Sequence, residues 1–178
     1  MPFAHPDHAE LLGELRRAGD PPSREPRNDS YGSSGHLYYF VRVPVRRAIA
    51  RAWLARHRST PAADVFALVE SLFQGESHEE KTLAAILLAY HRGARGLAGP
   101  KHIERWLDQL SGWAEVDGLC QSTFSAEEVL GDWVKWRALI RRLARHASVH
   151  SAGPRSCCSP VPCSTRRIHG SPSSRSRS

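Results

Sequence analysis

A chain of 178 residues with 40% hydrophobic content is long enough for one domain with a buried core, and no apolar run in it approaches the length of a membrane span. The net charge of +7 is uneven: residues 151–178 hold Arg155, Arg166, Arg167, Arg175 and Arg177 and no acid, so the other 150 residues carry only +2. A body so mildly basic argues against wholesale coating of nucleic acid.

From Met1 to Leu15, charges and a histidine pair stand where a secretory signal needs an unbroken apolar stretch, so a cytoplasmic protein is expected. Residues 1–29 read as an N-terminal helix followed by a loop, Gly19 to Arg27, that holds Pro21, Pro22 and Pro26. Further on, helix starts are well marked and strand signals nearly absent. Pro44 opens one helix, Thr60-Pro61 sets a capping hydroxyl before a first-turn proline, and Pro100 opens another. Ser77-x-x-Glu80 and Ser125-x-x-Glu128 have the form of capping boxes, in which each side chain satisfies the other residue's orphan amide. Behind these starts run Val65, Leu68, Val69, Leu72 and Phe73, then Leu83, Ile86, Leu87 and Tyr90, then Val129, Trp133, Leu139, Ile140 and Leu143, each close to a 3.6-residue period. Successive helices lie about 16 to 25 residues apart, so a pair spans roughly 40 residues. The expected fold over residues 30–150 is all-α: HEAT-like antiparallel helical pairs stacked into a short superhelical solenoid.

After Ile103, Trp106, Leu107 and Leu110, the segment Trp113-Ala114-Glu115-Val116-Asp117 opens the next helix and sets an indole and a carboxylate four residues apart on one face. Such a pair suits chemistry on a cationic group, although spacing alone favours a core tryptophan beside a solvated acid. Nothing else has the spacing of a cofactor or metal site. Cys157, Cys158 and Cys163 lack a fourth ligand, and His5, His8, His36, His57, His78, His91, His102, His146 and His150 are scattered, which suits surface or capping roles. No metal and no cofactor is expected.

From about Tyr31 to His150 the sequence resembles the DNA alkylation repair family, the HEAT-like alkylpurine DNA glycosylases. The resemblance is carried by Tyr31 through Arg47, ending in Val43-Pro44-Val45-Arg46-Arg47, by Glu80-Lys81-Thr82-Leu83-Ala84-Ala85, and most specifically by Trp113-Ala114-Glu115-Val116-Asp117, the family's Trp-x-x-Val-Asp segment. Phe40 departs from it, standing where many relatives have glycine. The resemblance implies hydrolysis of the N-glycosidic bond of cationic N3- or N7-alkylated purines in double-stranded DNA, by a monomer. Asp117 would stabilise the oxocarbenium-like sugar and orient water, with the face of Trp113 against the same nucleotide. Phosphate contacts are expected from Arg46, Arg47, Lys101 and Arg105, with Arg137, Arg141 and Arg142 behind them; each equally fits a solvated helix face.

Past His150 the text leaves the family for a Ser/Pro/Arg-rich segment, 151–178, expected to be disordered. The family continues instead with a helix beginning Arg-Arg-Ala, whose arginine lies beside the catalytic carboxylate, and with a later repeat that supplies another tryptophan. Codons compatible with His150 to Cys158, read one frame over, give Gln-Arg-Arg-Ala and then aliphatic positions. The expectation is therefore an out-of-frame tail on a partial repeat domain with impaired activity. The alternatives are an authentic basic tail that holds DNA by charge and, for the whole chain, a non-catalytic HEAT-like module that binds protein or DNA.

Overall fold

The structure, a computed structural model, describes residues 5–25, 34–121 and 123–145. The expected tail, 151–178, lies outside the described residues, as do Tyr31, His146 and His150. The described residues form nine helices and no strand, so the fold is all-α. In chain order these are α1 (Pro6–Ala18), α2 (Val43–Arg56), α3 (Ala62–Phe73), α4 (His78–Tyr90), α5 (Arg92–Leu97), α6 (Pro100–Leu107), α7 (Trp113–Cys120), α8 (Ala126–Gly131) and α9 (Trp133–Leu143).

Most helix starts follow the punctuation in the sequence. Ser77 and Ser125 each close a complete capping box with Glu80 and Glu128, Pro100 is the first residue of α6, and Trp113 is the first residue of α7. Two starts differ. α3 begins at Ala62 with Pro61 at its cap position and no side-chain cap, because the Thr60 hydroxyl sits one residue too early; the Thr60 amide instead donates to His57 and closes the turn after α2. The stripe from Val129 to Leu143 is not one helix, since α8 ends at Gly131 and Asp132 leaves the helical region at φ −126°, ψ 49°. Glycine and aspartate in succession are weak helix formers, and the chain breaks there. Trp136 and Leu139 consequently turn into the core, leaving Trp133 and Ile140 exposed.

One continuous core runs from Leu11 and Leu15 on α1 through Trp53, Leu68, Leu72, Leu87 and Trp106 to Leu119, Trp136 and Leu139. At its centre lies α4, packed against α2, α3, α5 and α7. The later turns of α4, Leu83 to Leu88, are apolar nearly all round, and a helix with no polar stripe must be enclosed. Enclosure extends to its polar first turn, where Ser77, His78, Glu79, Glu80, Lys81 and Thr82 are all buried.

Each of these groups has a partner. Glu79 accepts from the Tyr39 amide at 3.0 Å, Glu80 meets the His8 ring at 2.7 Å and the Ser77 amide at 2.9 Å, and the Lys81 ammonium donates to the Phe73 carbonyl at 2.8 Å. His8 also meets Ser71 at 2.8 Å, which ties α1 to both α3 and α4. The segment before α2 is held in the same way. Tyr39 accepts from the Asp20 amide, Tyr38 exchanges backbone bonds with Ser23, and Leu37 bonds Glu76 and His78. Within it Phe40 has φ 58°, in the left-handed region that glycine adopts freely and that costs other residues about 1–2 kcal/mol.

Glu115, near the start of α7, completes the polar network. Its Oε1 accepts from His36 at 2.9 Å and from His78 at 3.0 Å, and its Oε2 accepts from the Ser111 amide at 3.1 Å. Burial alone would push this carboxyl up, but the hydrogen bonds from His36 and His78 outweigh burial and hold it at about 2. A depressed carboxyl stabilises the fold fully above its ordinary value of 4.5 and loses that contribution as pH falls towards 2. The shift corresponds to about 3 kcal/mol. Urea unfolding should therefore show the parent and Glu115→Gln differing most at pH 5 and converging by about 3 kcal/mol as the pH falls towards 2. A difference independent of pH would show that the bridge gains nothing from its charge.

Candidate functional site

Between α2, α4 and α7 opens a cavity of about 400 Å³. The chain brings opposite charges to its two sides. α2 contributes Val43, Arg46 and Arg47, α7 contributes Trp113, Ala114, Asp117 and Gly118, and α4 forms the floor with His78, Thr82, Ala85, Ile86, Ala89 and Tyr90. The small alanines of α4 leave the space, and the long side chains of α2 and α7 line it.

On the acidic side, Trp113 and Asp117 are both half-buried, four residues apart on α7. Gln121, the residue that caps α7, donates from Nε2 to Asp117 Oδ1 at 2.7 Å and lines the cavity beside it. One carboxylate oxygen is thereby held in a fixed direction. The start of α7 is set from behind by Glu115, whose two histidine partners come from α4 and from the segment before α2.

The basic side is built differently. Arg46 is buried, 8% exposed, and its Nη1 donates to Thr82 Oγ1 and approaches His78 Nε2 at 3.3 Å. Burial pulls its guanidinium below the ordinary value, with Glu79 and Glu115 acting in the opposite direction and Arg47 adding to the fall. Arg46 Nε is buried and has no hydrogen-bond partner among the described residues. Arg47 is exposed, and Arg51, one turn further on, donates to the Tyr90 hydroxyl at 3.1 Å with its guanidinium 5.2 Å from the ring centre.

Of the residues singled out in the sequence, Trp113, Asp117, Arg46 and Arg47 meet in this cavity. Lys101, Arg105, Arg137, Arg141 and Arg142 do not line it. Arg105 is paired with Glu70 of α3, which also accepts from the Trp106 indole at 2.8 Å, and Arg142 is paired with Glu104 of α6 at 2.6 Å. Lys101 and Arg137 are exposed, and Arg141 and Arg142 line a separate cavity at the end of α9 with Ala138 and Arg145.

Sequence reasoning missed His36, His78, Glu115, Thr82, Tyr90 and Gln121. The capping roles expected for histidine hold at His5, His91 and His102, but His8 and His78 are buried. A signal was present. An α4 without a polar face has to bury its first turn as well, and a buried His-Glu-Glu-Lys-Thr run requires partners from several elements. Away from the cavity, Asp7, Glu10 and His57 bring ligand-type atoms within 4.8 Å of one another, and Arg56 supplies the balancing charge at Glu10, 2.8 Å away.

The family model described as DNA alkylation repair enzyme matches residues 11–150. The chain belongs to the DNA alkylation repair enzyme family. The match spans every element that lines the cavity, and membership of this family carries a role in DNA repair, with DNA as substrate. Nothing matches among the curated proteins or among the solved structures. No helix among the described residues is long and apolar enough to cross a membrane.

The surface pairs and the buried arginine should respond differently to truncation. Arg105→Ala and Arg142→Ala remove exposed ion pairs and should each change the unfolding free energy by less than about 1 kcal/mol. Arg46→Ala, which strips two buried acceptors of their donor, should cost about 2 kcal/mol or more in the same urea titration. Equal small losses at all three positions would contradict the burial of Arg46.

Proposed function

We propose that the chain is an alkylpurine DNA glycosylase that hydrolyses the N-glycosidic bond of N3- and N7-alkylated purines in double-stranded DNA. The observation that carries this reading is the polarised cavity, with Arg46 and Arg47 on one side and Asp117 with Trp113 on the other. Among the described residues no ion pair joins Asp117 to either arginine, so both charges remain for a ligand. A nucleotide offers both complements: an anionic phosphate and, as the glycosidic bond breaks, a cationic sugar.

The alkylated purine already carries positive charge, so it departs as a neutral base without being protonated first. The catalytic task is to stabilise the charge that develops on the deoxyribose. Asp117, held by Gln121 through one oxygen, presents the other to the sugar and to the attacking water. Trp113 lays its ring against the same cationic nucleotide. Arg46 and Arg47 hold the flanking phosphate, and Lys101, Arg137 and Arg141 extend the basic surface along the duplex. Arg105 and Arg142 add less, because Glu70 and Glu104 already neutralise them. With a leaving group that is neutral after cleavage, the reaction needs no cofactor or metal. In this reading the helices stack as HEAT-like pairs in a short superhelical solenoid, and the chain acts as a cytoplasmic monomer on one lesion at a time.

The test is release of free base from a duplex that contains N7-methylguanine or N3-methyladenine, followed by chromatography. Asp117→Asn should lower single-turnover base release by two to three orders of magnitude, about 2–4 kcal/mol, with duplex affinity within about twofold of the parent. Gln121→Ala should lower it about tenfold without changing stability, since Gln121 is exposed. Undiminished release by Asp117→Asn removes Asp117 from the chemistry. Duplex binding by the parent without any base release favours a non-catalytic HEAT-like binding module instead.

A further inference from the structure

We propose that His78 is a positioning residue: backed by Glu115, its ring sets the Arg46 guanidinium in the plane from which Arg46 clamps a phosphate at the α2 side of the cavity. The proposal rests on the reading that this cavity receives DNA. It follows from the hydrogen-bonding capacities of four side chains.

Glu115 Oε1 lies 3.0 Å from His78 Nδ1, and an ionised carboxylate only accepts, so Nδ1 carries the proton. Arg46 Nη1 lies 3.3 Å from His78 Nε2, and a guanidinium only donates, so Nε2 is bare. His78 is therefore the neutral tautomer protonated at Nδ1. The Thr82 hydroxyl donates to the His78 carbonyl at 2.8 Å and so turns its lone pairs towards Arg46 Nη1. Both hydrogens of Nη1 are thus committed, one to Thr82 and one to His78. Because the guanidinium is planar, two fixed directions at Nη1 fix the whole group, including Nη2, which makes no hydrogen bond among the described residues.

A neutral acceptor suits this task better than an acid. A carboxylate at position 78 would neutralise Arg46 by direct pairing, whereas an imidazole orients the guanidinium and leaves its positive charge to a ligand. Glu115 supplies the negative charge one residue further back, where it holds the ring and not the arginine. Asp117 on the far side repels anions, so a phosphate is confined to the side that Arg46 and Arg47 line.

The experiment follows the Arg46 Nε–Hε resonance by nuclear magnetic resonance in the full chain, first with inorganic phosphate and then with unmodified duplex DNA. Two substitutions separate the halves of the relay. His78→Asn keeps an amide near the Nδ1 position and continues to donate to Glu115, but offers Arg46 no acceptor. His78→Gln reaches the Nε2 position with an acceptor for Arg46 and gives up the bond to Glu115. The proposal expects phosphate to move the Arg46 resonance in the parent, with affinity about tenfold weaker in His78→Asn and within about twofold of the parent in His78→Gln. A purely structural role for His78 reverses that order or equalises the two, and either result overturns the proposal, as does an Arg46 resonance that phosphate leaves unmoved. Should His78→Asn fail to fold, Thr82→Val removes the other acceptor at constant shape, and unweakened phosphate binding there overturns the proposal equally. If the duplex displaces phosphate from Arg46, the DNA backbone is the source of the anion. If phosphate moves the resonance and the duplex does not, the positioning role stands for a free phosphate and the DNA reading of the cavity fails.

Discussion

The architecture depends on the enclosure of a charged helix start. The capping box of α4 is an ordinary surface device, yet here it lies in the interior, because the rest of α4 has no face that water would solvate. Burying Glu79, Glu80, Lys81 and His78 without partners would cost several kcal/mol apiece. The partners therefore dictate the arrangement around α4: His8 brings in α1, the Tyr39 amide brings in the segment before α2, Arg46 brings in α2, and Glu115 brings in α7. Hydrophobic burial makes these helices associate, but it is nondirectional. The hydrogen bonds of the α4 start select one arrangement from the many that would bury a similar apolar area.

That selection has a consequence for the cavity. Ion pairs elsewhere in the molecule, such as Arg105 with Glu70 and Arg142 with Glu104, satisfy charge locally and leave little to offer a ligand. In the cavity the scaffold keeps the opposite charges apart. Arg46 is oriented by neutral acceptors, Asp117 is held by a neutral amide, and the alanines of α4 separate them. Charges held in place by neutral groups retain their field, which is the condition for stabilising a charged species that forms only during a reaction.

The parts of this arrangement legible in the sequence were those governed by local rules. Capping boxes at Ser77 and Ser125, the proline at α6 and the 3.6-residue stripes of α3 and α4 depend on neighbours within a few positions, and they held. The Trp113-to-Asp117 spacing placed two side chains on one face of one helix for the same reason. Where two local rules competed, the outcome was harder to read: the apolar stripe argued for one helix through residues 126–143, while Gly131 and Asp132 argued for a break, and the break prevailed. The illegible parts were long-range. His36 reaches Glu115 across 79 positions and His8 reaches Glu80 across 72, and no periodicity reports on such pairs. Arg46 was expected as a phosphate contact or a solvated helix residue, and its burial was illegible because that burial is determined by α4 and not by α2.

The segment before α2 shows how the same network tolerates a locally unfavourable choice. Phe40 holds a backbone conformation that glycine adopts at little cost. The strain is about 1–2 kcal/mol. Against it stand the buried bond from the Tyr39 amide to Glu79, the paired bonds of Tyr38 with Ser23, and the stacking of the Phe40 ring on Tyr38 at 5.9 Å between centroids. Each is comparable in size to the strain, so together they hold the turn. The turn matters because the same segment delivers His36 to Glu115, and Glu115 sets the start of the helix that carries Trp113 and Asp117. A strained residue is thus retained where the segment it bends is one of the two supports of the acidic side of the cavity.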